Sequence, residues 1–317
     1  MKQIDVFNGD ADGICALHQL RLTKPCDSEL VTGVKRDINL LGRVEATKGD
    51  RITVLDISLD KNRTGLDRLL DQGINVDYFD HHFAGDIPVS EHLAAHIDTS
   101  ADTCTSLIVN RYLKSAHILW ALTGAFGDNM HQAAHDVARP VELSREQMLE
   151  LQHLGECINY NGYGLTLDDL HFAPDDLYRH ISPYVDPFAF IHESEAFKKL
   201  ADGYATDIAH ARDIRAHIET EKTCVHILPD QPWARRVSGV YGNELARNHP
   251  SRAHALITEA DGFYRVSVRA PLTKKEHADT LCMQFPTGGG RKGAAGINEL
   301  PIDMFDRFIE AFTATYS

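Results

Sequence analysis

Five aspartates and two histidines stand where apolar runs of the chain stop. Asp10 and Asp12 fall in "FNGDADG", Asp56 in "VLDIS", Asp80, His81 and His82 in "YFDHH", and Asp128 in "TGAFGDN". A carboxylate and two imidazoles are costly neighbours in a core; at the mouth of a sheet a metal or a phosphate can use them. Residues two apart on a strand point the same way, so Asp10 and Asp12 could face one ion. Taken singly, each station has a plain structural role: an Asp after a strand is an N-cap for the next helix, and D-x-D-G suits a turn in which Gly13 frees the backbone to bend. Taken together, the stations gather negative charge that is destabilising unless compensated. Divalent cations resolve it, and carboxylates with an imidazole suit Mn²⁺, with Mg²⁺, Co²⁺ or Fe²⁺ as alternatives.

A frame must hold these residues. Strands are expected over 3–7, 29–34, 51–56 and 74–80, and helices over 13–23 and 62–73, the second closed by Gly73. This alternation predicts a parallel sheet covered by helices, with ligands bound beyond the carboxyl ends of the strands. Asp128, after the apolar run "HILWALTGAF", reads as the fourth strand-end station. Residues 141–190 have a helical pattern broken by Pro174, Pro183 and Pro187, and 193–222 reads as one long charged helix. A smaller α/β domain follows: a strand at 224–229, a helix near 241–249, a hairpin over 253–271 turning at Asp261-Gly262, a glycine-rich loop at 287–296 and a closing helix from about 302. The expected division is thus a catalytic domain at 1–192, a connector helix at 193–222 and a substrate-binding domain at 223–317.

"NGDADG", "LDIS", "DHH" and "GAFGDN", in that order, resemble the four motifs of the DHH phosphoesterase superfamily. That superfamily includes single-strand exonucleases, nano-RNases acting on very short RNA, cyclic-dinucleotide phosphodiesterases and inorganic pyrophosphatases. "VSVRA" (266–270) and "GGGRKGAAG" (288–296) resemble its associated substrate-binding domain. The resemblance implies two Mn²⁺ ions held by Asp10, Asp12, Asp56, His81 and Asp128, with Asp56 bridging. It implies that His82 touches substrate phosphate and that Asp80 orients its neighbours, so Asp80, His81 and His82 make the catalytic set. The implied reaction is in-line hydrolysis of a phosphoester at ions about 3.5–4 Å apart. Two positions depart from the pattern. Val6 stands where many members carry a metal-binding histidine four residues before the first Asp, which leaves one ion weakly held. Arg291 replaces the histidine of a more usual GGGH; arginine is no base near neutral pH but is a good bidentate phosphate ligand.

Residues 263–293 hold six Lys or Arg against two acids, a local reversal in a chain of net charge −14. Gly288, Gly289 and Gly290 let backbone amides approach an anion, with Arg269 and Arg291 beside them. Alone, the same residues read as a solvated strand face and a flexible loop. With the metal stations they read as a grip for one or two phosphates, and so for a short substrate held between domains. The acidic balance argues against binding of long nucleic acid, duplex included. His131 and His135 in "HQAAH" lack the Glu of a zinc-peptidase helix and are expected beside Asp128 or in solvent. No run of 18 or more apolar residues marks a membrane span. The scattered cysteines and the absence of an apolar leader fit a reduced, cytoplasmic protein, and a homodimer is compatible with all of this. The expected enzyme is a Mn²⁺-dependent phosphodiesterase that takes very short RNA, linear dinucleotides above all, to mononucleotides. The alternatives are a 3′-phosphoadenosine phosphatase, a single-strand exonuclease, or a degenerate scaffold that binds a nucleotide without turnover.

Overall fold

The structure, a computed structural model, describes all 317 residues. The chain divides into two units, Met1–Asp202 and Gly203–Ser317. In the first, β1 (Gln3–Phe7), β2 (Glu29–Val31), β3 (Arg51–Leu55), β4 (Asn75–Asp80) and β5 (Leu93–Ile97) form one parallel sheet in the order β2-β1-β3-β4-β5. The central strands are buried along most of their length, Val6, Phe7, Val54, Leu55, Tyr78 and Phe79 among them, as a sheet covered on both faces requires. Eight helices accompany the sheet: α1 (Ala11–Thr23), α2 (Leu59–Asp71), α3 (Thr105–Tyr112), α4 (Ile118–Gly127), α5 (His131–Ala138), α6 (Arg145–Gly162), α7 (Pro174–Ile181) and α8 (Pro187–Glu193); α9 (Glu195–Asp213) runs through the division of the chain. From β1 the chain crosses to β2 on one side, then returns to β3 on the other. The gap between β1 and β3 is therefore the topological switch point, where sheets of this kind place their ligands.

Several expectations need correction. β2 ends at Val31, three residues early, ahead of a turn closed by the Asp37 N–H on the Val34 carbonyl at 2.8 Å; a Cβ on Gly33 would strike the Asp37 side chain. Asp128 does not end a strand. It caps α4, whose ten residues include eight fully buried ones; an apolar run of that length carries no period that separates helix from strand. Pro174 and Pro187 open α7 and α8 as their first residues, a position where the missing N–H costs nothing. The long connector is shorter than 193–222: α9 stops at Asp213, the two units divide at Asp202/Gly203, and residues 218–219 already pair in the second sheet. Gly13 lies inside α1, and space rather than a turn demands it, since a Cβ there would sit 2.9 Å from the Asn8 amide nitrogen.

The second unit carries a six-stranded mixed sheet in the order β10-β11-β9-β8-β7-β6. Its strands are β6 (Ile218–Glu219), β7 (Thr223–Leu228), β8 (Ala253–Ala260), β9 (Phe263–Arg269), β10 (Gly288–Arg291) and β11 (Ala294–Pro301), with α10 (Pro232–Asn248), α11 (Ala278–Cys282) and α12 (Phe305–Tyr316). β8 and β9 form the expected hairpin, with Gly262 at a positive φ of 82°. The glycine-rich segment is not a loop: Gly288–Arg291 pairs antiparallel with β11. Val266, Val268, Ile257, Phe308 and Phe312 are among the residues of this unit's core.

One core residue sets a pH dependence. His18 on α1 is almost fully buried, edge-on to Trp120 at 4.6 Å, and its Nε2–H donates to the Tyr184 carbonyl at 2.8 Å. Burial drives its pKa down to about 4, although the carbonyl hydrogen bond opposes the shift. The folded state thus prefers neutral His18, and the unfolded chain takes the proton first. The associated stability is whole above the ordinary histidine value and is lost as pH falls toward 4, a change of about 3 kcal/mol. Denaturant titrations between pH 7 and pH 4 are expected to show a shallower acid loss in His18→Gln than in the wild type. Equal slopes would remove His18 as the cause.

Candidate metal centre

The site is built at the carboxyl ends of β1, β3 and β4 and at the end of α4. Asp10 caps α1, accepting from the Gly13 N–H at 3.1 Å. Asp12, in the first turn of α1, accepts from the Ser106 and Thr105 N–H groups, each at 2.7 Å, and so also satisfies the N-terminus of α3. A carboxylate offers about four lone-pair directions, so both oxygens keep capacity for an ion. Asp56 follows β3 in the left-handed region, φ 61°, while its side chain accepts from the Thr105 hydroxyl at 3.0 Å. A buried non-glycine residue at positive φ is strained; here the conformation aims a carboxylate at the switch point.

His81 is the centre of the group. Its Nε2 lies 3.5 Å from Asp56, 3.8 Å from Asp128 and 4.0 Å from Asp12. Its Nδ1 lies 3.1 Å from the Thr103 carbonyl, which can only accept, so Nδ1 carries the proton. In the neutral ring, Nε2 then presents a lone pair to three carboxylates. A cation at that point is what reconciles four electron-rich groups. Asp12, His81 and Asp128 form one set whose donor atoms all lie within 4.8 Å of one another, and Asp56, His81 and His82 form another. The donors present therefore fit a divalent ion of the Mn²⁺ or Mg²⁺ type.

The electrostatics agree. Burial first, then Asp12, Asp10, Asp128 and Asp80, push the Asp56 carboxyl well above the ordinary range. Asp128 is also raised, by burial, against the opposing pull of Lys35. Asp10 goes the other way: burial would raise it, but the Lys35 ammonium beside it holds it low. His82 turns its Nδ1 to Asp80 Oδ1 at 2.7 Å, with its ring 4.4 Å from that of His81. Asp80 is fully buried, and its Oδ2 has no hydrogen-bond partner.

Sequence reasoning missed the cation in this cluster. Lys35, just past β2, ion-pairs with Asp10, reaches Asn159 on α6 at 2.9 Å, and stands 3.9 Å from Asp128. The signal was present: Lys35 and Arg36 follow the second expected strand, whose carboxyl end opens on the same crevice as the others. Thr105 and Asn159 belong to no motif and could be found only from the fold. His131 and His135 each pack against Phe126 at 5.7 Å and belong to neither metal-binding set.

The residues expected to grip phosphate lie in the second unit. Arg269 on β9 is held by the Asn243 side chain at 2.7 Å, the Ser267 hydroxyl at 2.9 Å and the Val268 carbonyl at 3.2 Å. Arg291 on β10 is exposed. A Cβ on Gly289 would meet open space, whereas Gly290 has φ 138° and backs onto Ala295. No helix of the chain is long and apolar enough to cross a membrane.

No protein-family model and no curated protein matches the sequence. Solved structures do match. The exonuclease RecJ in complex with Mn²⁺ from Thermus thermophilus superposes with a TM-score of 0.65 at 18% identity, over 100% of this chain and 52% of that one. An exopolyphosphatase-related protein from Bacteroides fragilis gives 0.55 at 13% identity over 99% and 91%. A pGpG-specific phosphodiesterase, PggH, from Vibrio cholerae gives 0.54 at 14% identity over 99% and 98%. The chain thus has the fold of the DHH-domain proteins, a parallel sheet followed by a second mixed sheet.

Proposed function

We propose that this chain is a divalent-metal-dependent phosphoesterase of the DHH superfamily that hydrolyses very short oligoribonucleotides, linear dinucleotides best, to mononucleotides. The observation that carries the proposal is the convergence of Asp12, Asp56 and Asp128 on the Nε2 of His81, which offers a cation four donors at the switch point of the sheet. A bound Mn²⁺ there, or Mg²⁺ or Co²⁺ in its place, supplies Lewis acidity toward a phosphoryl oxygen and eases deprotonation of water. The chain's own residues do the rest. Thr103 fixes the His81 tautomer, Thr105 fixes the Asp56 carboxylate, and Asp80 holds His82 so that the far side of its ring can meet a phosphate oxygen. Arg269, Arg291 and the amides of Gly288, Gly289 and Gly290 are proposed to take substrate phosphate. Arg291 in particular offers a bidentate fork. The preference for short chains rests on the net charge of −14, which disfavours a long polyanion.

A single-strand exonuclease is the second reading, favoured by the higher TM-score of the RecJ structure. One length series separates the two. The protein is incubated with Mn²⁺ and labelled RNAs from two to about twenty nucleotides, with a 3′-phosphonucleotide and a cyclic dinucleotide alongside. The dinucleotide is expected to be cleaved at least about tenfold faster than the longest strand. Equal or faster cleavage of the long strand would make the chain an exonuclease. Release of phosphate from the 3′-phosphonucleotide alone would make it a monoesterase. Absence of hydrolysis on all of them, with metal bound, would mark a binding scaffold.

A further inference from the structure

Asp10 lies against Asp56 but has partners of its own. One of its oxygens takes the Gly13 N–H, and the other takes the Lys35 ammonium. It belongs to neither of the groups whose donor atoms converge. Lys35 is not a loose surface chain laid over the site. Its backbone N–H donates to the Gly162 carbonyl at 2.8 Å, and its own carbonyl accepts from Asn8 at 3.4 Å. Its ammonium is held by Asp10 and Asn159 and lies 5.3 Å from the centre of the Tyr163 ring.

Val6, the residue four before Asp10, is a fully buried hydrocarbon on β1. The carboxylates of the centre therefore meet two unlike environments. Asp12, Asp56 and Asp128 face a His81 lone pair, and Lys35 stands 3.9 Å from Asp128. Asp10 holds that ammonium in direct contact. A divalent ion beside Asp10 would stand against an ammonium at close range, with little water to screen the repulsion.

We infer that the Lys35 ammonium holds the place of a second cation, so that the chain binds one divalent ion tightly at Asp12, Asp56, His81 and Asp128 and admits another only by displacing Lys35 from Asp10. This rests on the metal-dependent reading of the same site and goes beyond it by fixing the stoichiometry. It also assigns Lys35 a positioning role that no motif gives it.

The test reads metal, not turnover. Metal-free full-length protein is titrated with MnCl₂ by calorimetry and by electron paramagnetic resonance. Wild type is expected to take one ion per chain tightly, with the hyperfine pattern of an isolated Mn²⁺, and a second at least about tenfold more weakly. Lys35→Met is expected to tighten the second ion by tenfold or more and to broaden the spectrum by exchange between neighbouring ions. Lys35→Gln, which keeps a donor to Asp10 without the charge, should behave like Lys35→Met, and thermal melts confirm that each variant is folded. Two ions of equal affinity in wild type overturn the inference, as does an unchanged second affinity in a folded Lys35 variant. Should neither variant fold, the wild-type titration decides alone. Hydrolysis is followed in parallel. Two tight ions with activity intact sink this inference and leave the proposed function standing, whereas no bound ion and no activity sink both.

Discussion

Asp56→Asn is expected to end phosphoester hydrolysis and, in the same protein, to raise the stability of the metal-free fold. The two effects share one cause. Asp56 is buried against Asp12, Asp10, Asp128 and Asp80, and burial together with those charges pushes its proton affinity well up. Asparagine removes the charge and keeps the shape. Its carbonyl oxygen still accepts the Thr105 hydroxyl, and among non-glycine residues it is one of the few that tolerate φ 61°. The activity loss should reach at least about a thousandfold, roughly 4 kcal/mol of barrier, because an anionic donor to the cation is gone. The gain in stability should be about 1–3 kcal/mol. Its pH dependence follows from the sign of the shift. A carboxyl raised in the folded state costs nothing below its unfolded pKa and increasingly penalises folding as pH rises through the folded value. The gain in Asp56→Asn should therefore be largest at neutral and alkaline pH and fade in acid. Denaturant melts of chelator-treated protein at pH 8 and pH 4.5 measure it. A loss of stability at pH 8 would mean that the hydrogen bonds and Lys35 already balance the cluster.

The stability test bears on what the sequence could reveal. β1, β3 and β4 were legible because each is an apolar run ended by an acid, and the acids after them lie where a parallel sheet puts ligands. β5 was not legible: "LAAHI" sits at the sheet's edge, only partly buried, with no strict alternation to betray it. Asp128 was found by its motif but assigned to the wrong element, since "ILWALTGAFG" is buried almost all round and so loses its helical period. The hydrogen bonds that aim the donors were hidden for a different reason. Thr103, Thr105 and Ser106 reach the centre because α3 presents its N-terminus to Asp12, and that meeting spans more than ninety residues of sequence. Lys35 and Asn159 come together across a similar gap, 124 residues. Ligand types were written locally; the partners that orient and neutralise them were written in the topology.

Asp80 is where local and topological information meet, and its replacement separates positioning from folding. Asp80→Asn is expected to lower kcat by about 10–1,000-fold while Mn²⁺ binding stays within a few-fold of wild type. Asp80 lies behind His82, 2.7 Å from its Nδ1, and is not among the donor atoms that converge on His81. In Asp80→Asn the His82 ring loses a buried anion, so its proton affinity falls. If protonated His82 donates to a phosphate or leaving oxygen, the alkaline limb of the kcat profile must then move to lower pH. A residue with only a packing role would reduce activity without moving that limb. The buried Oδ2 of Asp80, which has no partner, sets the stability side. An amide NH₂ placed there would be a buried donor with nothing to bond, at a cost of about 1–3 kcal/mol. A variant that melts lower, binds Mn²⁺ normally and turns over slowly with a shifted alkaline limb identifies Asp80 as the group that orients and charges His82. One with an unshifted limb assigns the proton elsewhere and leaves His82 as a neutral contact to phosphate.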